Sequence, residues 1–124
     1  MHLLLVFLYA AGSVVCHQRP ERSFFWDGTQ LPVCARCTGL YLGGALGLLL
    51  WCGVRWLRGA GSMRLSPPVT LRALVMAAMP TALSWTSGAM GVWDGGNLTR
   101  AILAVPLGTA VGVVVAAVGT KDLR

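Results

Sequence analysis

Four apolar stretches, at residues 3–15, 38–56, 69–92 and 101–118, are divided by short segments that hold most of the charge. No other feature constrains the fold as tightly. A membrane-spanning helix needs about 20 apolar residues, and the last three stretches reach or approach that length. The first is shorter, but extension through Cys16 and His17, with tilt or local bilayer thinning, brings it into range. The expected fold is all-α, an integral membrane bundle of four short transmembrane helices forming a single domain over residues 1–124. A signal peptide is the rival reading of the first stretch, because Ala10-Ala11-Gly12 offers small residues; no Lys or Arg precedes its apolar core, however.

Composition points the same way: 56% of the chain is hydrophobic and 11% charged, against about 25% charged in soluble domains. A soluble fold of this size would leave large apolar patches in water. The net charge of +6 resides mostly in arginines beside apolar runs, as the positive-inside rule requires. No basic stripe interleaves with aromatics, so nucleic acid is not an expected partner; membrane lipids are. Arg55, Arg58, Arg64, Lys121 and Arg124 fall on one side, and Arg19, Arg22, Arg36 and Arg100 on the other. Arg72 can snorkel to the first group. The balance favours cytoplasmic termini in the plasma membrane of a prokaryote.

Punctuation of the linkers is clear. Residues 19–33 read as a loop with two prolines, Pro32 being placed to open the second helix. Ser66-Pro67-Pro68 ends the next linker, and residues 93–97 make a turn. Pro80 and Pro106 predict kinks. Trp26, Trp85 and Trp93 suit one interfacial belt, and Trp51 and Trp56 the other. Gly39, Gly43 and Gly47 in the second helix, and Ala104, Gly108, Gly112 and Ala116 in the fourth, form stripes at four-residue spacing. Small-residue stripes let backbones approach closely in lipid. Packing of these two helices within one chain is the simplest expectation, with a homodimer through one stripe as the runner-up.

The most distinctive segment is Cys16-His17-Gln18-Arg19-Pro20-Glu21-Arg22-Ser23-Phe24, followed by Cys34-Ala35-Arg36-Cys37-Thr38-Gly39. These blocks resemble the DUF2085 family of small membrane proteins. The resemblance implies a membrane topology and marks these residues without supplying an activity. Asn97 and Arg100 fit a later Asn-x-x-Arg pattern of the family. Ser84-Trp85 stands where relatives carry Asp-Gly, which makes Asp94 a substitute for the absent acid.

Chain order alone brings the polar residues to one membrane face. Cys16 and His17 end the first helix, Cys34 and Cys37 begin the second, and Asp94, Asn97 and Arg100 lie at the turn before the fourth. Cys52 lies fifteen helical residues beyond Cys37, roughly 22 Å away, and reads as a buried, inert thiol. Cys16, His17, Cys34 and Cys37 make a Cys3His ligand set, for which zinc is the first choice of metal. One difficulty is that neighbouring helical residues point about 100° apart, so Cys16 and His17 converge only if the helix end unwinds. A second reading is a membrane thiol-disulfide oxidoreductase. The C-x-x-C pair sits at a helix N-terminus with Arg36 between the thiols, and both features lower a thiol pKa. A third is a structural or interaction protein in which polar residues merely cap helices. Glu21, Arg22, Arg36, Asp94, Asn97 and Arg100 are candidates for a polar pocket taking a lipid headgroup or small polar substrate. No phosphate loop, Ser-His-Asp order or paired carboxylates stand out, so a hydrolase or kinase has no support.

Overall fold

The computed structural model describes residues 2–59, 64–93 and 95–122. Its organising contact is between α2 (Ala35–Arg58) and α4 (Asn97–Gly119). They run parallel, in matched register, and the glycine stripes are the reason they can. A methyl group on Gly39, Gly43 or Gly47 would run into the backbone of Ala101, Val105 or Thr109, and one on Gly108 or Gly112 into that of Leu40 or Gly44. The two helices therefore meet backbone to backbone, as small residues permit. This is the pairing expected from the two stripes.

What is buried and what is exposed are reversed relative to a soluble core. The buried apolar positions are mostly alanines, among them Ala35, Ala101, Ala104, Ala116 and Ala117, whereas Leu42, Leu46, Leu49, Leu50, Ile102 and Val115 face outward. An outer surface this apolar is suited to lipid and not to water. α2 and α4 are both long and apolar enough to cross a membrane. The expected all-α bundle of four spanning helices is thus seen as four α-helices, two of which meet that test among the described residues. α1 (His2–Val15) has 14 residues, about 21 Å at 1.5 Å each, against a hydrocarbon core of about 30 Å.

α3 (Pro67–Ala89) packs on α4. Pro106 removes one backbone donor within α4, and the Thr81 hydroxyl of α3 donates to the Leu103 carbonyl in the turn before it, at 3.0 Å. The bond ties α3 to α4 one residue past the Ile102 carbonyl that Pro106 leaves without its helical donor. The opposite end of the α2/α4 pair is closed by polar groups. Trp51 Nε1 donates to Thr120 Oγ1 at 3.2 Å, Arg55 pairs with Asp122, and the Asp122 carbonyl accepts from the Leu65 N–H at 3.0 Å. Trp51 is only 3% exposed and packs on Ala116 and Ala117. It is a core residue and not the interfacial anchor expected, because its indole N–H finds a protein partner and gains nothing at the headgroups.

The largest departure from the sequence reading lies in residues 19–33. A short 3-10 turn (Pro20–Arg22) leads into a β-hairpin, β1 (Ser23–Trp26) and β2 (Thr29–Cys34), so the fold is not purely helical. Trp26 pairs with Thr29 across Asp27-Gly28, whose φ values of 48° and 75° are those of a type I′ turn. Pro32 lies within β2 and does not open the second helix, which starts at Ala35 with Cys34 as its N-cap. A two-stranded ribbon has only edge strands, where proline is tolerated. The hairpin leans on α1: Tyr9 donates its hydroxyl to the Gln30 carbonyl, and Gly12 is buried where a side chain would strike the Pro32 carbonyl.

Candidate metal centre

Three separate positions in the chain deliver thiols to one point. α1 ends at Val15, and Cys16 follows it with its amide still bonded to the Gly12 carbonyl at 2.8 Å. The hairpin then returns the chain so that Cys34, the last residue of β2, faces Cys16, and one turn of α2 adds Cys37. The Sγ atoms of Cys16, Cys34 and Cys37 all lie within 4.8 Å of one another. Those of Cys34 and Cys37 are 3.4 Å apart, and the Cys34 N–H donates to Cys16 Sγ at 3.2 Å. Thiolates around a tetrahedral zinc, with Zn–S near 2.3 Å, stand about 3.8 Å from each other. The three thiols are therefore spaced for one ion, and all are free of disulfides.

The turn that carries Cys16 is held by amide side chains. Gln18, with a positive φ of 46°, donates from Nε2 to the carbonyls of Tyr9 at 2.9 Å and Pro32 at 2.7 Å. Gln30 Nε2 donates to the Gln18 carbonyl at 2.8 Å and to Ser23 Oγ at 3.2 Å. Ser23, 1% exposed, in turn donates to the Arg19 carbonyl at 2.9 Å. These bonds tie the turn after α1 to α1 itself, to β2 and to the segment that opens the 3-10 turn. Burial pushes the Cys16 thiol pKa up, but hydrogen bonds from the Gln18 and Cys34 backbone and from the Cys34 and Cys37 thiols outweigh it, leaving it below the ordinary 9.0. A thiol biased toward the thiolate is a ready metal ligand.

The thiols open onto a cavity of about 330 Å3 whose wall also includes His17, Arg19, Arg22 and Arg36. His17 lines this cavity but is not a member of the group of sulfurs within 4.8 Å. Of the polar-pocket candidates, Arg22 and Arg36 lie on the cavity wall, whereas Glu21 is exposed and does not line it. Arg36 also reaches α3, donating from Nη2 to the Ser84 carbonyl at 3.1 Å. Asn97 and Arg100 are brought together elsewhere. Arg100, 6% exposed, donates to Asn97 Oδ1 at 3.1 Å, and Asn97 Nδ2 donates to the Ser23 carbonyl at 2.9 Å. They tie α4 to the hairpin. Asp94 lies outside the described residues. Cys52 is exposed on α2, contrary to the burial expected of it, since its position faces away from the α2/α4 contact. Tyr41 is likewise exposed.

The motif marks Gln18 and Ser23 without giving either a role, and nothing in the sequence singles out Gln30. A signal for the hairpin was available in Asp27-Gly28, a type I′ dipeptide flanked by Phe25, Trp26 and Thr29.

The chain is similar to two archaeal proteins described as uncharacterised. It is 34% identical over 95 residues to one from Methanocaldococcus jannaschii, covering 77% of this chain and 57% of that protein. It is 31% identical over 99 residues to one from Methanothermobacter thermautotrophicus, covering 80% and 82%. The chain thus spans little more than half the length of the first relative. No solved structure matches it. The family model described as predicted membrane protein (DUF2085) matches residues 16–114, which include all three clustered cysteines, and the chain belongs to that family.

Proposed function

We propose that this membrane protein holds a zinc ion on Cys16, Cys34 and Cys37 at one face of a four-helix transmembrane bundle. The observation that carries the reading is the convergence of three thiols from the end of α1, the end of β2 and the first turn of α2 within 4.8 Å. A C-x-x-C redox pair needs only two of them; the third is what a metal site requires. The fourth coordination position falls to His17 or to a ligand entering from the cavity. Closed four-ligand sites are structural and open ones are catalytic, so His17 decides between these roles. α1 and α3 complete the bundle, α1 by tilting or by thinning the bilayer around it. The arginine bias supports an orientation with both termini in the cytoplasm and the thiols on the outer face of a prokaryotic plasma membrane.

Elemental analysis of detergent-purified protein tests this. Near-stoichiometric zinc that is lost in Cys34→Ser and Cys37→Ser is expected. Its retention in His17→Ala assigns an open position, and its loss there a closed Cys3His site. Zinc-free wild type with two thiols unreactive until reductant is added would instead favour the oxidoreductase.

A further inference from the structure

The cavity beside the thiols is cationic in a way the metal does not require. Arg19 immediately precedes the 3-10 turn Pro20–Arg22 and Arg22 is its last residue, and the Arg22 N–H donates to the Arg19 carbonyl at 3.0 Å. Both arginines line the cavity, while Glu21 between them is exposed and does not line it. Ser23 pins the turn, its amide bonding the Pro20 carbonyl and its hydroxyl the Arg19 carbonyl. Arg36 and His17 contribute to the same wall, and among the described residues no aspartate or glutamate lines it.

Neither Arg19 nor Arg22 makes a side-chain hydrogen bond or ion pair with the described protein, and neither donates to a cysteine sulfur. They are thus not placed as counter-charges hydrogen-bonded to the thiols. Two guanidinium groups on one wall, with a third nearby, match the several oxygens of a phosphate group, which arginine binds in bidentate fashion. A cavity of about 330 Å3 is at the small end of ligand sites, with room for a phosphate group and for part of whatever carries it.

We infer that this cavity is a phosphate-binding site, built by Arg19 and Arg22 and supported by Arg36. The phosphate is carried by a lipid headgroup or is free in solution. The site does not depend on the zinc reading, although its ligand would sit beside the thiols.

The test is a titration of the purified protein in uncharged detergent, read by calorimetry. Inorganic phosphate is compared with chloride at equal ionic strength, and dihexanoyl phosphatidic acid with dihexanoyl phosphatidylcholine. Saturable binding of phosphate or of phosphatidic acid is expected. The double variant Arg19→Gln/Arg22→Gln should weaken it about tenfold or more, and Arg58→Gln, at the far end of α2, should leave it unchanged. Binding of phosphate alone assigns a free ion, and binding of phosphatidic acid alone a lipid headgroup. No saturable binding of either by the wild type overturns the inference, as does affinity unchanged in a double variant of wild-type thermal midpoint. Should the double variant not fold, each single substitution carries the same comparison. Zinc is measured in every sample, so phosphate binding by zinc-free protein would fail the metal reading and leave this one standing.

Discussion

Individual residues separate into those that converge on the cavity and those that hold the convergence in place. The thiols were legible in the sequence because the Cys16 and Cys34/Cys37 blocks fall at the two ends of one loop. His17 lines the same cavity but stands outside the group of three sulfurs, because the side chains of neighbouring residues diverge. Asn97 illustrates the supporting class, since it joins the buried Arg100 to the hairpin through both ends of its amide. Asn97→Ala should destabilise the protein by about 1–3 kcal/mol, the usual cost of leaving buried polar groups short of a partner, as measured by thermal unfolding in detergent. Cys16 makes a pH-dependent contribution. Its folded thiol pKa lies below the ordinary 9.0, so in zinc-free protein its stabilisation is complete above about pH 9 and is lost as the pH falls through the depressed folded value. The gap in unfolding midpoint between wild type and Cys16→Ser should therefore widen as the pH rises from neutral to about 9; a gap that narrows over that interval would contradict the assignment.

Among the elements, the hairpin was the one not legible in advance. Its strands are short, one contains a proline, and alternation is blurred by the bulge between Ser23 and Phe25. Only the Asp27-Gly28 turn marked it, and two prolines in the same segment suggested a loop instead. The consequence is functional, because β2 returns Cys34 to Cys16. Gly28 holds a φ of 75°, which a β-branched residue adopts at a cost of about 1–2 kcal/mol. Gly28→Val should lower the thermal midpoint and weaken zinc retention against a chelator together. A loss of stability with unchanged chelator resistance would show that the hairpin does not position the thiols. The helices were far more legible, since glycine and alanine at four-residue spacing state which faces approach.

For the whole molecule, the decisive contact is the parallel packing of α2 on α4, which sets the thiols at one end and the Trp51, Arg55 and Asp122 closure at the other. A Leu at Gly43 would have to displace the Val105 carbonyl and the Gly108 backbone. Overpacking of this kind costs about 1–3 kcal/mol or more, so Gly43→Leu should remove folded monomer, seen by size-exclusion chromatography and thermal unfolding. Loss of a dimer with the monomer intact would move the stripe to a subunit interface. The central claim, that three thiols from different parts of the chain share one zinc, is tested most directly by zinc K-edge X-ray absorption on the purified protein. The predicted result is a shell of three sulfurs at about 2.3 Å with one lighter ligand. A zinc shell without sulfur, or no zinc absorption from folded protein with all its thiols reduced, would contradict it.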